Sequence, residues 1–479
     1  MTDNKKHRTN RRGFLKSAAT LGAASGVAAV ATNSVFPVLL PEKPVFEANR
    51  SHWAETFTQP SAPLQKDIET DMAVIGGGLT GLSAAFYLKR NRPADRVVVL
   101  EAIRCGNGAS GRNGAMLLTS TEDRYMAWSD NPSLDKRIYD LTVDNTQRLS
   151  QLAATMNLDV ELELHGALQM CNTGDLAEQG RQFIEKAQRA GFPFEFWDRE
   201  KIAEAVGTSA YPGAMFDPNS GQVHPGKLVE LFKTAGQSIA VEIYEGTPVA
   251  AIEEGKSITL TTADGKNVRT RALVLATNAY TSKLGYLRRA VTPVFDYVGI
   301  TAPLSESRLR EIGWKRHIPF NDSRTEVYYL GLTKENRLHI GGGPVDYVFN
   351  NGLREPSGAA KRFEGLRAEL SRIFPALVDE PFETTWSGIV DMSLDQTPSV
   401  GQLGKHGNIF YAIGFSGHGV NLTSVFGRIL ADLIHNKRED WVWLPYLNRL
   451  PLYTPNEPFR WLGVNAALQF YRRTDPSEP

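Results

Sequence analysis

The chain has 479 residues, 42% of them apolar, and Lys+Arg matches Asp+Glu at 53 each. That length accommodates two domains or one interwoven unit, and the balanced charge offers no electrostatic footprint for nucleic acid. Cys105 and Cys171 are the only cysteines, too few for a disulfide framework or a zinc centre. A single disulfide between them stays open, and no metal is expected.

The first forty residues stand apart. "TNRRGFLKSAATLGAASGVAAVATN" carries the pair Arg11-Arg12, then Phe14-Leu15-Lys16, then a mild Ala/Gly run ending in the small-x-small site Ala29-Val30-Ala31. This pattern resembles a twin-arginine export signal over residues 1–31, followed by a linker over 32–50. The expected location is the periplasm. No charge falls between Ser17 and Pro41, so an uncleaved inner-membrane anchor is the alternative.

Next comes "MAVIGGGLTGLSAAFYLKRN", four glycines in six positions between two apolar runs. Asp71 to Ile75 reads as a buried strand. Leu79 to Arg90 reads as a helix with Leu82, Ala85, Phe86 and Lys89 along one stripe, and Val97 to Leu100 reads as a second strand ending at Glu101. Gly76-x-Gly78-x-x-Gly81 therefore occupies the first turn of a β-α-β unit with an acid at its far end, the dinucleotide fingerprint in its required setting. Gly76 permits the turn, Gly78 admits a diphosphate, and Gly81 lets the helix approach its strand. The helix N-terminus offers free N–H groups to phosphate. Glu101 suits a ribose 2′- and 3′-hydroxyl.

NAD or FAD can fill such a cradle. The loops downstream favour the longer FAD. "RCGNGASGRNGAMLL" from Arg104 is a second glycine-rich loop, too glycine-rich for an element interior. "TRALVLATNAYTS" is a strand closed by a small-residue turn. "DQTPSVGQ" and "IGFSGHGVNLTSVFGRILADLI" supply Asp395, a glycine loop at Gly414 to Gly419 and a helix from about Val420, whose start can meet an electron-rich ring. "VHPG" at His224 reads as a fixed turn, with a catalytic role as the alternative. The tail reads as a helix from Pro458 with Trp461, Val464, Leu468 and Tyr471 on one face. It either docks on the protein's own body or contacts a membrane surface, aided by Arg472-Arg473.

Gly76-x-Gly78-x-x-Gly81 with Glu101, the run Gly108 to Gly114, Ala276-Thr277-Asn278, Asp395-x-x-Pro398-x-x-Gly401 and Gly417-His418-Gly419 together resemble the D-amino-acid-oxidase-like FAD oxidoreductases. "GQVHPGKLVELFKTA" and "LHIGGG" are most similar to the gamma-glutamylputrescine oxidase branch, with glycine and sarcosine oxidases as cousins. The resemblance implies an interleaved α/β fold. A Rossmann-like FAD-binding domain would take residues 51–120, 205–290 and 385–440. A substrate domain with a mixed β-sheet would take 121–204 and 291–384, and 441–479 would form the tail. The cofactor contacts it implies are Gly76, Gly78, Leu79, Thr80, Gly81, Glu101 and Ala102, then Gly108, Ala109, Ser110, Gly111, Arg112, Asn113 and Gly114, then Val249, Ala276, Thr277, Asn278, Gly417, His418, Gly419 and Val420.

The reaction implied is oxidation of a C–N bond in a small amine or amino acid, with hydride passing to flavin and electrons leaving to oxygen or a quinone. No second GxGxxG marks a nicotinamide site. Tyr329, His339 and His418 are the candidates facing substrate or flavin; the alternative for Tyr329 and His339 is core packing, and for His418 it is that the backbone meets the cofactor while the ring only tunes it. Cys105 is either a covalent flavin link or a buried small hydrophobe. Cousins that hold an α-carboxylate do so with an arginine in the roof, where Arg324 and Arg337 fall. The rival readings are a membrane-linked dehydrogenase reducing quinone and a non-catalytic flavoprotein subunit.

Overall fold

The computed structural model describes residues 45–119, 131–449 and 451–475. The export signal and most of the linker lie outside the described residues. Two eight-stranded sheets organise the molecule. In the first, Ile68–Ile75 runs parallel between Val97–Leu100 and Asn267–Leu275, and Glu242–Tyr244 and Ile409–Ile413 extend the parallel array on either side. Ser399–Leu403 closes one edge antiparallel, and Ile258–Thr262 with Val249–Glu253 forms an antiparallel flap on Asn267–Leu275.

Val97 to Leu100 is apolar at every position because helices cover one face of the sheet and the flap covers the other, so both faces are dry. Leu79–Asn91, Pro225–Ser238 and Gly419–Ile434 form the helical layer, packed through Leu82, Phe86, Leu231, Val425 and Phe426. The sequence places Leu79 at the right start and ends that helix one residue early. The helix expected from Val420 begins at Gly419.

The second sheet runs Phe382–Met392, Thr292–Pro303, Arg337–Gly342, Tyr328–Leu332, Phe320–Asn321, Ala167–Cys171, Gly213–Asp217 and Glu195–Asp198. All its pairings are antiparallel except Phe320–Asn321 with Ala167–Cys171, so the sheet is mixed. Gly213–Asp217 and Phe382–Met392 join this sheet although residues 205–290 and 385–440 were expected in the cofactor domain. Their long registers with Ala167–Cys171 and Thr292–Pro303 place them there. A short turn joins the strands Tyr328–Leu332 and Arg337–Gly342. A long helix spans Pro132–Met156, with Asn131 capping its start.

Phe459–Thr474 forms the tail helix. Its far end is tied to the second sheet: Arg472 pairs with Glu326 at 3.2 Å, and the Asp475 carboxylate accepts from the Thr325 and Glu326 amides at 2.9 Å each. Leu468 is buried, whereas Trp461 is 39% exposed, so Trp461 leaves the packing stripe that spacing assigned to it. Among the described residues no helix is long and apolar enough to cross a membrane. Both cysteines are buried and free, so no disulfide joins them.

Candidate active site

A continuous cavity of about 2930 Å³ runs from the first glycine turn, across the loop 107–114, to the underside of the second sheet. Its wall includes Gly76, Gly78, Leu79, Thr80, Glu101, Ala102, Gly108, Ala109, Ser110, Arg112, Asn113, Gly114, Val249, Ala276, Thr277, Asn278, Gly417, His418, Gly419 and Val420. These come from six separate stretches of sequence. Gly81 and Gly111 sit just behind this wall and act through close packing.

The cradle fits a dinucleotide. A Cβ on Gly81 would lie 1.9 Å from the Gly76 carbonyl oxygen, so only glycine lets the helix come this near its strand. A Cβ on Gly108 or Gly417 would meet no protein atom within 4 Å, so backbone is open to a ligand there. The Glu101 carboxylate accepts from the amides of Gly77 at 2.7 Å and Ile103 at 3.0 Å. The Ala102 amide bonds it as well, so three of its roughly four acceptor positions are filled and one is left for a hydroxyl. Burial holds its pKa above the usual carboxylate range despite those amides. Ser110 Oγ accepts from the Leu79 amide at 2.9 Å, tying the second glycine loop to the start of the first helix.

The loop is pinned from behind by three ring nitrogens on consecutive carbonyls. Trp386 Nε1 donates to Arg112 C=O at 2.8 Å, Trp53 Nε1 donates to Asn113 C=O at 2.8 Å, and His339 Nε2 lies 3.1 Å from Gly114 C=O. His339 is thus buried beneath the loop and is not on the cavity wall, contrary to its expected role facing substrate. Burial drives its pKa down to about 4, so it is a neutral imidazole donating through Nε2. Arg112 donates from Nε to Asn107 C=O at 2.8 Å, from Nη1 to Ser387 C=O at 3.1 Å and from Nη2 to Glu47 C=O at 2.9 Å.

Tyr329 does line the cavity. Its ring lies across Gly114 and Gly341, where an added Cβ would sit 2.2 Å from Cε2 and 2.3 Å from the hydroxyl, respectively. Passing over Gly341 brings the hydroxyl to Asp296 Oδ2 at 2.7 Å. Asp296 also accepts from the Tyr297 amide at 2.9 Å and from the Gly342 amide. Burial raises its pKa to about 6 against those bonds. A second buried carboxylate, Asp391, accepts from the Gly414 amide at 2.6 Å and bonds the Phe415 and Ser416 amides, fixing the loop that leads to His418. His418 stands on the wall at the N-cap of Gly419–Ile434.

Of the remaining candidates, Cys105, His224 and Arg337 lie off the cavity wall, and Arg324 is on it. Cys105 is buried with its sulfur beside Gly77, off the wall, so it is packing material and not a flavin link. His224 caps Pro225–Ser238 by accepting from the Lys227 amide at 3.3 Å, the fixed turn its motif suggested. Arg337 pairs with Glu383 away from the cavity, and Arg324 is held by Asp322 and Glu369 while stacking 4.1 Å over Tyr328. Sequence reasoning missed Trp53, Trp386, Asp296 and Asp391. Single aromatic or acidic residues in a turn or strand carry no local signal; only the folded chain shows where they point.

Comparisons with known proteins agree with this geometry. The chain is 28% identical to the probable oxidoreductase OrdL of Haemophilus influenzae, over 78% of this chain and 84% of that protein. It is 29% identical to the gamma-glutamylputrescine oxidoreductase of Escherichia coli, over 82% and 90%. The glycine oxidase of Geobacillus kaustophilus superposes with a TM-score of 0.66 at 22% identity, covering 77% of this chain and 95% of that one. Residues 71–433 match the profile of the DAO family, FAD dependent oxidoreductases, and the chain belongs to that family.

Proposed function

We propose that the protein oxidises a C–N bond in a small amine or amino acid, giving an imine that water hydrolyses. The observation that carries this reading is the continuity of the cavity, which joins the glycine cradle to a pocket under the second sheet. Relatives named gamma-glutamylputrescine oxidoreductase and glycine oxidase, each named for a nitrogen-bearing compound, support it. FAD supplies the acceptor for the hydride that leaves carbon. The chain's own residues hold and orient: the turn Gly76–Gly81 for the diphosphate, Glu101 for the ribose, the loop 107–114 along the length of the group, and the start of Gly419–Ile434 for its electron-rich end. The roof strands shield the reacting carbon from water. The sheet around Ile68–Ile75 with its helices serves as the cofactor unit, and the sheet around Thr292–Pro303 as the substrate unit.

Arg11-Arg12 and the small-residue run after it support export of the folded protein by the twin-arginine route. A quinone as electron acceptor is the second reading. It is favoured by Leu452, Tyr453, Phe459, Leu462 and Phe470, apolar side chains between 43% and 54% exposed on the tail. The test is anaerobic flavin reduction across amines, D- and L-amino acids and N-methylated amino acids. Bleaching by at least one class supports the reading, and none by any class refutes it. Peroxide release in air then separates oxygen from quinone.

A further inference from the structure

One buried charge on the cavity wall has no counter-ion. Arg460 sits in the first turn of the tail helix Phe459–Thr474 and is 6% exposed, yet it lines the cavity. Its Nε donates to Pro455 C=O at 3.1 Å. Among the described residues no carboxylate pairs with it, and Nη1 and Nη2 meet no acceptor although neither is sealed in by protein. Glu457, one turn earlier, is spent: Oε1 accepts from the Tyr347 hydroxyl and from the Asn350 amide at 3.2 Å, and Oε2 from the Trp461 amide at 3.0 Å. The charged neighbour that Arg460 does face is a second cation, Arg289, whose pKa is lowered by burial and then by the Arg460 charge. A cation in the first turn also opposes the helix dipole.

The other arginines of the region are committed. Arg324 is held by Asp322 and Glu369, and Arg337 by Glu383. Arg112 keeps two N–H groups, but each of its three nitrogens is tied to a backbone carbonyl, whereas Arg460 keeps four of five. The tail helix turns one side to the cavity, with Arg460, Val464, Leu468 and Tyr471 spaced four, four and three residues apart along it. Its two ends are fastened beside the second sheet, Glu457 to Asn350 and Asp475 to Thr325 and Glu326, so Arg460 belongs to the roof side of the cavity. A Cβ on Gly463, also on the wall, would meet no atom within 4 Å, so there is room beside the guanidinium. Arg460 lies beyond residues 71–433, the part of the chain that carries the family profile.

A guanidinium taken out of water without an anion is costly, and an arriving anion offsets that cost. Its two Nη groups match the two oxygens of a carboxylate as a fork. The diphosphate of FAD has its amides at the turn Gly76–Gly81 of the first sheet, which leaves the substrate as the source of the anion. We propose that Arg460 binds a carboxylate of the substrate, so that the tail helix selects an amino acid over the amine that lacks its carboxylate. This rests on the C–N oxidation reading and narrows it.

The experiment has two arms on the full FAD-loaded chain, on Arg460→Met and on Arg460→Lys. The first follows anaerobic flavin reduction by glycine, β-alanine, 4-aminobutanoate, 5-aminopentanoate and their N-methyl derivatives, each against the amine that lacks the carboxylate. In the wild type kcat/KM is at least about thirtyfold higher for the carboxylated member of the best pair. Arg460→Met removes that preference by raising KM more than it lowers the limiting rate. Arg460→Lys, which keeps the charge and loses the fork, restores part of it. Equal or faster reduction by the amines overturns the proposal and leaves C–N oxidation standing; silence from every compound overturns C–N oxidation itself. The second arm needs no turnover: calorimetry compares acetate to hexanoate with the corresponding amides. The wild type binds at least one alkanoate in preference to its amide, and Arg460→Met weakens that binding at least about thirtyfold. No alkanoate bound, or a Kd unchanged in Arg460→Met, overturns the proposal whatever the first arm gives. Loss of FAD from both variants also overturns it, because the cofactor is then the counter-ion.

Discussion

Replacing Gly81 with alanine tests the cofactor cradle most directly. The new methyl would lie 1.9 Å from the Gly76 carbonyl oxygen and 3.1 Å from Val74 Cγ1. Reaching 3.0 Å from that oxygen requires a shift of about 1.1 Å, and the obstacle is backbone that no rotamer change can remove. Overpacking of this kind costs about 2–3 kcal/mol, while alanine gains about 1 kcal/mol over glycine in a helix interior. The net loss is about 1–2 kcal/mol of stability. The displaced helix start carries the amides meant for the diphosphate, and a loss of about 1.4 kcal/mol there weakens FAD tenfold. Gly365, inside the helix Ala359–Ile373, is the control because its Cβ would meet nothing within 4 Å. Gly365→Ala gains up to about 1 kcal/mol and leaves FAD untouched. The assays are urea midpoints and the ratio of 450 nm to 280 nm absorbance after dialysis. Stoichiometric flavin and an unshifted midpoint in Gly81→Ala would refute the argument.

Lys233 and Glu245 form an ion pair at 2.9 Å with side chains 3% and 1% exposed. Lys233→Met strands that carboxylate and costs about 3 kcal/mol by urea unfolding, the low end of the range because the Ser61 and Cys105 amides still bond it; a cost below about 1 kcal/mol would show the pair to be idle. Trp386→Phe removes the donor to Arg112 C=O and costs about 1–3 kcal/mol, with a shifted flavin absorbance band as its second signature. Burial raises the Asp391 pKa to about 7, against an ordinary value of 3.8, so between those pH values the folded chain holds a proton that the unfolded chain has released. Stability carried by that proton is lost as pH rises through this window, and Asp391→Asn flattens the dependence in unfolding titrations. Arg472→Ala frees the end of the tail helix from Glu326 and Val345, and trypsin then cuts at Arg473 about tenfold faster.

The cofactor half of the site was legible because its signals are local. Gly76, Gly78 and Gly81 must follow a strand and open a helix, and the two strands and the helix are written in 30 consecutive residues, 71–100. The loop 107–114 betrayed itself by composition. The substrate half was not legible in the same way. Tyr329 was named because it sits on a roof strand, but its partner Asp296 is 33 residues away and meets it only by reaching over Gly341 on an intervening strand. His339 was assigned to the wrong side of the same sheet region. Alternation along Arg337–Gly342 gives two faces, and nothing in a single sequence says which one the cavity occupies. Trp461 failed for the analogous reason on the tail helix, where helical spacing groups side chains without saying which of them meet the body.

The three ring nitrogens behind residues 112–114 come from separate parts of the chain: Trp53 from the turn His52–Thr56, His339 and Trp386 from different strands of the second sheet. The carbonyls they grip belong to the loop that borders the diphosphate cradle. Vacating the cradle and prising the sheets apart are therefore reciprocally linked, so saturating flavin raises the resistance of the roof strands to unfolding by the same mass action that fills the cradle. Acidification leaves the His339 tether in place, because Nε2 still donates after Nδ1 takes up a proton.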